Sequence, residues 1–205
     1  MPASSPAAGD SPLMDATAAA TLFAWLDREV WLLTARANGR ANGLVATQVG
    51  PVSTVAEVPR VLVGVAKHHP TWELVEASRA FAVHLLSKDN TDLVWRFALP
   101  SDPDADPFAG LTTMAATTGS PVLAGTVGWL DCRVETSLDA GDRTLYVAEV
   151  VDGQVTHFAA PLMSQHLMEH APPHLLTQLQ RRRHHDSHSE AAALQTWREE
   201  RRAGG

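Results

Sequence analysis

Cysteine is nearly absent. Cys132 is the only one among 205 residues, which excludes an intrachain disulfide and a zinc site built on thiolates. No apolar run approaches the ~20 residues that a membrane-spanning helix needs. The first dozen residues carry neither a basic start nor an apolar stretch, so no secretory signal is read there, and a reduced, cytoplasmic setting is expected. Positive charge is also short. Sixteen Lys and Arg stand against 23 Asp and Glu, a formal charge of −7, which argues against general affinity for nucleic acid. The patterns G-x-S-x-G, G-x-x-x-x-G-K-[ST] and G-x-G-x-x-G are all missing, so neither a nucleophile elbow nor a P-loop nor a Rossmann fingerprint is available. Cys132 lies in the alternating run Trp129–Val134 and reads as a small packing residue.

What is present suits one sizeable core. Hydrophobic residues make up 45% of the chain, and a chain of this length buries roughly 70% of its unfolded surface. Met1 to Leu13 is rich in Ala, Ser and Pro and reads as a tail. A helix is expected from Asp15, as cap, to Leu26. Strand-like runs follow at Glu29–Arg36, Gly43–Val49, Arg60–Ala66 and Ala80–Leu86, with a turn at Ala37–Arg40. A short helix is expected over Thr71–Ser78 with Thr71 as its cap, and another over Asn90–Leu99. Ser101–Pro107 reads as a loop. Strands then recur at Thr126–Leu138, Arg143–Asp152 and Gln154–Phe158, the first two joined by a turn at Asp139–Asp142. Ser164–Leu179 and Ser189–Arg202 read as helices, the first interrupted by Pro172-Pro173. Short strands with terminal helices predict a mainly β barrel with α decoration. The main domain spans 14–162 and a C-terminal helical extension 163–205. From Arg181 onward six arginines meet four acids, so a basic extension follows an acidic body, which reads as a solvated helix or as a segment that docks between subunits.

Two segments concentrate chemistry. Lys67-His68-His69-Pro70-Thr71 gathers two imidazoles, an ammonium and a hydroxyl where a strand passes into a helix, which makes it a candidate anion site. Asn42 to Ser53 carries small and hydroxyl side chains where a core strand would carry Val or Ile, and small residues let a flat ligand lie against the backbone. His166, His170 and His174 stand four apart and suggest metal or haem ligation, against which Pro172-Pro173 and a lack of acidic or Cys partners weigh. His184, His185 and His188 read as solvated surface.

Six segments in order carry a resemblance. Asn42-Gly-Leu-Val-Ala-Thr47, Pro51-Val-Ser53, Lys67–Thr71, Phe81-Ala-Val-His-Leu-Leu86, Asp106-Pro-Phe108 and Gly141-Asp-Arg-Thr-Leu-Tyr-Val-Ala-Glu-Val150 together resemble the flavin reductase-like family of FMN-binding split barrels, over about Ala24 to Leu162. The resemblance implies a Greek-key split β-barrel that binds FMN, with FAD as the other candidate, and takes a hydride from NAD(P)H. It implies that Val45, Ala46, Thr47 and Gln48 line the flavin, that Ser53 meets the ring edge, and that Lys67, His68 and Thr71 hold the phosphate. It also implies a homodimer with flavin near the interface and a partner oxygenase or other electron acceptor. This chain departs from the pattern at Arg143, where the family often has His in G-D-H. It departs again at His84 for Asn, Pro107 for Lys, and Gly50-Pro51 for a hydroxyl pair, and its C-terminal extension exceeds the family's usual ending, either to swap over the partner or to cover the cofactor mouth. Arg143 is therefore the candidate catalytic residue, placed to attract a phosphate or the anionic side of a reduced ring. A flavin-binding electron-transfer or sensing module without NAD(P)H turnover is the alternative, and a haem or metal barrel using the C-terminal histidines a third reading.

Overall fold

The computed structural model describes residues 16–53, 55–99 and 105–204. The expected tail, the capping role of Asp15 and most of the loop after Pro100 lie outside these residues. Helix α1 (Ala16–Ala24) leads into β1 (Trp31–Ala37), β2 (Arg40–Ala46), β3 (Val49–Pro51) and β4 (Arg60–Ala66). Helix α2 (Pro70–Ser78), β5 (Ala80–Leu85), a 3-10 turn (Lys88–Asn90) and α3 (Thr91–Ala98) follow. Next come β6 (Thr113–Ala115), β7 (Pro121–Leu123), β8 (Gly128–Asp139), β9 (Arg143–Val155), α4 (Ser164–His170) and α5 (Pro173–Ala203). Seven strands form one antiparallel sheet in the order β2-β1-β5-β8-β9-β4-β3, and β6 and β7 form a separate pair.

The order explains the shape. The two edge strands, β2 and β3, are consecutive in the chain and only Thr47 and Gln48 separate them. Joining opposite edges through two residues forces the sheet to curl upon itself. The result is a barrel split along that seam, as the resemblance implies.

Hydrophobic alternation decides what fills and what covers the sheet. On one face Leu33, Val63, Val65, Phe81, Val83 and Tyr146 pack with Leu74 and Val75 of α2, and the Tyr146 hydroxyl donates to Glu76 of that helix at 2.5 Å. On the other face Leu32 and Leu86 pack with Val94 and Phe97 of α3 and Leu167 of α4. Strand β1 is thus covered on both sides, with Leu32 and Leu33 both fully buried. Each such side chain contributes roughly 1.5–3 kcal/mol.

The β1–β2 hairpin turns at Asn38 and Gly39, whose φ values of 52° and 75° match a type I′ turn. Strand β2 consequently starts at Arg40, three residues before the expected Gly43. Strand β9 runs unbroken to Val155, so the separate strand expected over 154–158 is not formed. The 164–179 helix does break at the prolines. Beyond them, however, a single 31-residue helix runs through the polar stretch where a gap was expected. Among the described residues no helix is long and apolar enough to cross a membrane.

Candidate functional site

The seam opens into a cavity of about 640 Å³, within the range of small-molecule sites. Val45 and Ala46, at the end of β2, line it with Thr47 and Gln48, and Gly64 and Ala66 of β4 line it as well. The Gly64 N–H donates to the Gln48 carbonyl at 3.0 Å, which pins the seam. A Cβ at residue 64 would lie 2.5 Å from Gln48 Oε1, so glycine there lets the Gln48 side chain lie across β4. Val94 and Phe97 of α3, with Leu167 and Met168 of α4, close the apolar side.

The other end is ionic. His69 caps α2, its Nδ1 accepting from the Thr71 N–H at 3.3 Å. Burial, and then the neighbouring Arg182 and His68, lower its pKa to about 4, so the ring is neutral at neutral pH and Nδ1 stays an acceptor. Arg143, at the start of β9, donates from Nε to Asp142 at 2.7 Å, from Nη1 to Gln48 Oε1 at 2.8 Å and from Nη2 to Glu190 at 3.3 Å. His68 Nε2 faces Asp186 at 3.6 Å and its Nδ1 faces Glu190 at 4.0 Å. Arg182 Nε reaches Asp186 at 3.5 Å. Helix α5 therefore lies along the cavity's charged end.

Of the residues singled out in the sequence, Val45, Ala46, Thr47, Gln48, His68 and Arg143 all line this cavity. Ser53, Lys67 and Thr71 are not among its lining residues. The Lys67 ammonium pairs instead with Asp139 at 2.7 Å, and that bond, with the Gly141 N–H, holds the Asp139 carboxyl below its ordinary range. The Ser53 hydroxyl accepts from the Val55 N–H at 3.1 Å. Thr71 is not the α2 cap; it is buried, and its Oγ1 finds no hydrogen-bond partner among the described residues. Gly43 was expected to admit a flat ligand. It admits Phe97 instead, because a Cβ there would lie 3.0 Å from that ring and from the Leu33 carbonyl.

Cys132 is fully buried, and burial beside Asp131 pushes its thiol far up, which leaves it inert. The C-terminal histidines divide. His166 and His170 stack at 3.9 Å, and Glu169, an acidic partner the sequence reading overlooked, joins them so that one ligand atom from each lies within 4.8 Å of the others. His174 is not in this group. Among the described residues the C-terminal extension adds a further wall to the cavity, one of the two placements the sequence allows it, through residues not singled out there: Arg182, Arg183, Asp186 and Glu190 of α5. Their signal was the four-residue spacing 182–186–190, which places all three on one helical face.

A family model described as "flavin reductase like domain" matches residues 24–168. The chain is 28% identical over 135 residues to the high molecular weight rubredoxin of Moorella thermoacetica, covering 65% of this chain and 58% of that protein. It therefore spans less than two thirds of that relative's length. Over 133 residues it is 34% identical to the actinorhodin polyketide dimerase of Streptomyces coelicolor, covering 64% of this chain and 72% of that one. In structure it is similar to a flavin reductase domain protein from Arthrobacter sp. FB24, with a TM-score of 0.65 and 28% identity over 72% of this chain and 89% of that one.

Proposed function

The chain belongs to the flavin reductase-like domain family, and from that premise we propose that it binds FMN in the seam cavity and works as an NAD(P)H-dependent oxidoreductase of the flavin reductase type. The residues present suit the group. A planar tricycle needs an apolar slot with a few polar atoms at its edge, and its phosphate tail needs cations. Val45 and Ala46 offer the slot, Thr47 and Gln48 the edge, and His68 and Arg143 the charged end. That juxtaposition of an apolar wall with the guanidinium groups of Arg143 and Arg182 in one cavity carries the reading.

Bound flavin supplies two-electron redox chemistry between a reduced nicotinamide and an acceptor, which the side chains here cannot supply themselves. The protein's part is to bind, orient and screen. Phe97, Leu167 and Met168 keep water from the apolar side. Gln48 fixes the Arg143 guanidinium, whose permanent charge favours anionic ligand atoms. His69, held neutral, cannot serve as a general acid at neutral pH. The family position of Arg143 makes it the residue that tunes turnover.

The same reading takes the working form to be a cytoplasmic homodimer that hands electrons to an oxygenase or another acceptor. Exposed apolar side chains favour self-association, among them Phe23 in the last turn of α1, Trp25 just beyond it and Phe158, which is 99% exposed. Anaerobic mixing of the protein with FMN and NADH or NADPH tests the activity. Bleaching of the flavin band at a catalytic rate is expected. A stable yellow complex indifferent to both nucleotides would leave a binding module without reductase turnover.

A further inference from the structure

Beyond residue 168, where the family match ends, the chain adds a wall of its own to the cavity. Helix α5 brings Asp186 and Glu190 against His68 and Arg143, at 3.3 to 4.0 Å. We propose that these two carboxylates are built-in competitors of the ligand's phosphate: they hold the groups a phosphate monoester takes, and FMN seats fully by exchanging its phosphate for them. The inference rests on reading the cavity as a flavin site.

Three observations make exchange the economical route. First, a phosphate monoester carries about −1.5 to −2 at neutral pH, so it cannot share His68 and Arg143 with Asp186 and Glu190 without strong like-charge repulsion. Second, the carboxylates can leave. No residue of α5 is fully buried, and Asp186 keeps Arg182 as a partner one turn away on its own helix. Asp142 behaves differently, because its side chain is only 7% exposed and grips Arg143 at 2.5 and 2.7 Å; it stays. Third, α5 has a second anchor past the carboxylates. Leu194 and Trp197 close around Gly141, where a Cβ would stand 3.1 to 3.3 Å from their side chains. The helix can release its ionic rung and remain attached to the β8–β9 turn.

The test compares FMN with riboflavin, which has the same ring and no phosphate, on the unaltered 205-residue chain and on the double variant Asp186→Asn, Glu190→Gln. Both positions are partly exposed, at 26% and 27%, so the fold tolerates the change. The ratio of FMN to riboflavin affinity should rise roughly tenfold in the variant, the effect of two partly screened charges. A ratio equal to or below that of the unaltered protein overturns the proposal while riboflavin binding still supports the cavity reading. Failure of both flavins to bind either form overturns the cavity reading, and the proposal falls with it. Trypsin gives a second readout that needs no variant. FMN, and not riboflavin, should speed cleavage at Arg181 to Arg183; protection by FMN contradicts exchange.

Discussion

His84 ties strand β1 to strand β7. Its Nε2 accepts from the Leu123 N–H at 3.1 Å, so its Nδ1 carries the proton and donates to the Leu32 carbonyl at 3.0 Å. Burial lowers its pKa from 6.5 to about 4. Between those values the unfolded chain binds a proton that the folded chain refuses. The stabilisation is therefore complete above about pH 6.5 and lost as pH falls toward 4, by roughly 2 kcal/mol at pH 5. His84→Asn keeps one donor and one acceptor but does not titrate. Urea unfolding at pH 7 and pH 5 should show a smaller loss of stability in the variant; equal losses would contradict this role. Thr71 gives the opposite lesson. As a residue before a helix it read as a cap and a phosphate ligand, yet its hydroxyl is buried and finds no partner among the described residues. Thr71→Val should raise stability by about 1 kcal/mol and leave FMN affinity unchanged in a calorimetric titration. A weakened FMN complex would place the hydroxyl at the ligand after all. Neither environment is written in the local sequence, because strands far apart in the chain create it.

Among the elements, those with strong local signals were legible. Asn38-Gly39 marks its hairpin because both residues need positive φ, and the alternating runs of β4, β8 and β9 and the continuous apolar run of β5 stand where the pattern puts them. Strands β6 and β7 escaped notice because each has three residues, too few for a period. Helix α5 was only half legible. It buries no apolar stripe, and its continuity rests on i,i+4 contacts such as Arg182–Asp186 and the edge-on rings of His184 and His188. Gly43 looked like a ligand platform and proves to be a packing site for Phe97 of α3. Gly43→Ala should therefore destabilise the protein by about 1–3 kcal/mol through overpacking, read from thermal or urea unfolding. An unchanged stability would mean that α3 stands off from β2. Trp197→Ala should loosen the α5 anchor at Gly141, seen as faster amide exchange across 190–203 with the sheet unaffected.

At the scale of the whole molecule, the seam joins fold to function. Two edge strands linked by Thr47-Gln48 leave a slot, and the slot collects β2, β4, the start of α2 and Arg143 at one point. The part of the slot at Val45 to Gln48 was readable, because six ordered segments resemble a family in a way that implies a ligand there. For α5 the sequence left solvation, swapping over a partner and covering the site all open, since the family match ends at residue 168 and charged residues on a polar helix look the same whether solvated or docked. The central claim is that this slot holds FMN by its ring and its phosphate together. Equilibrium titration of FMN into the unaltered protein and into Arg143→Gln tests it most directly. The account predicts saturable one-to-one binding, weakened about tenfold or more by loss of the guanidinium. Binding that does not saturate, or that ignores the Arg143 substitution, would contradict it.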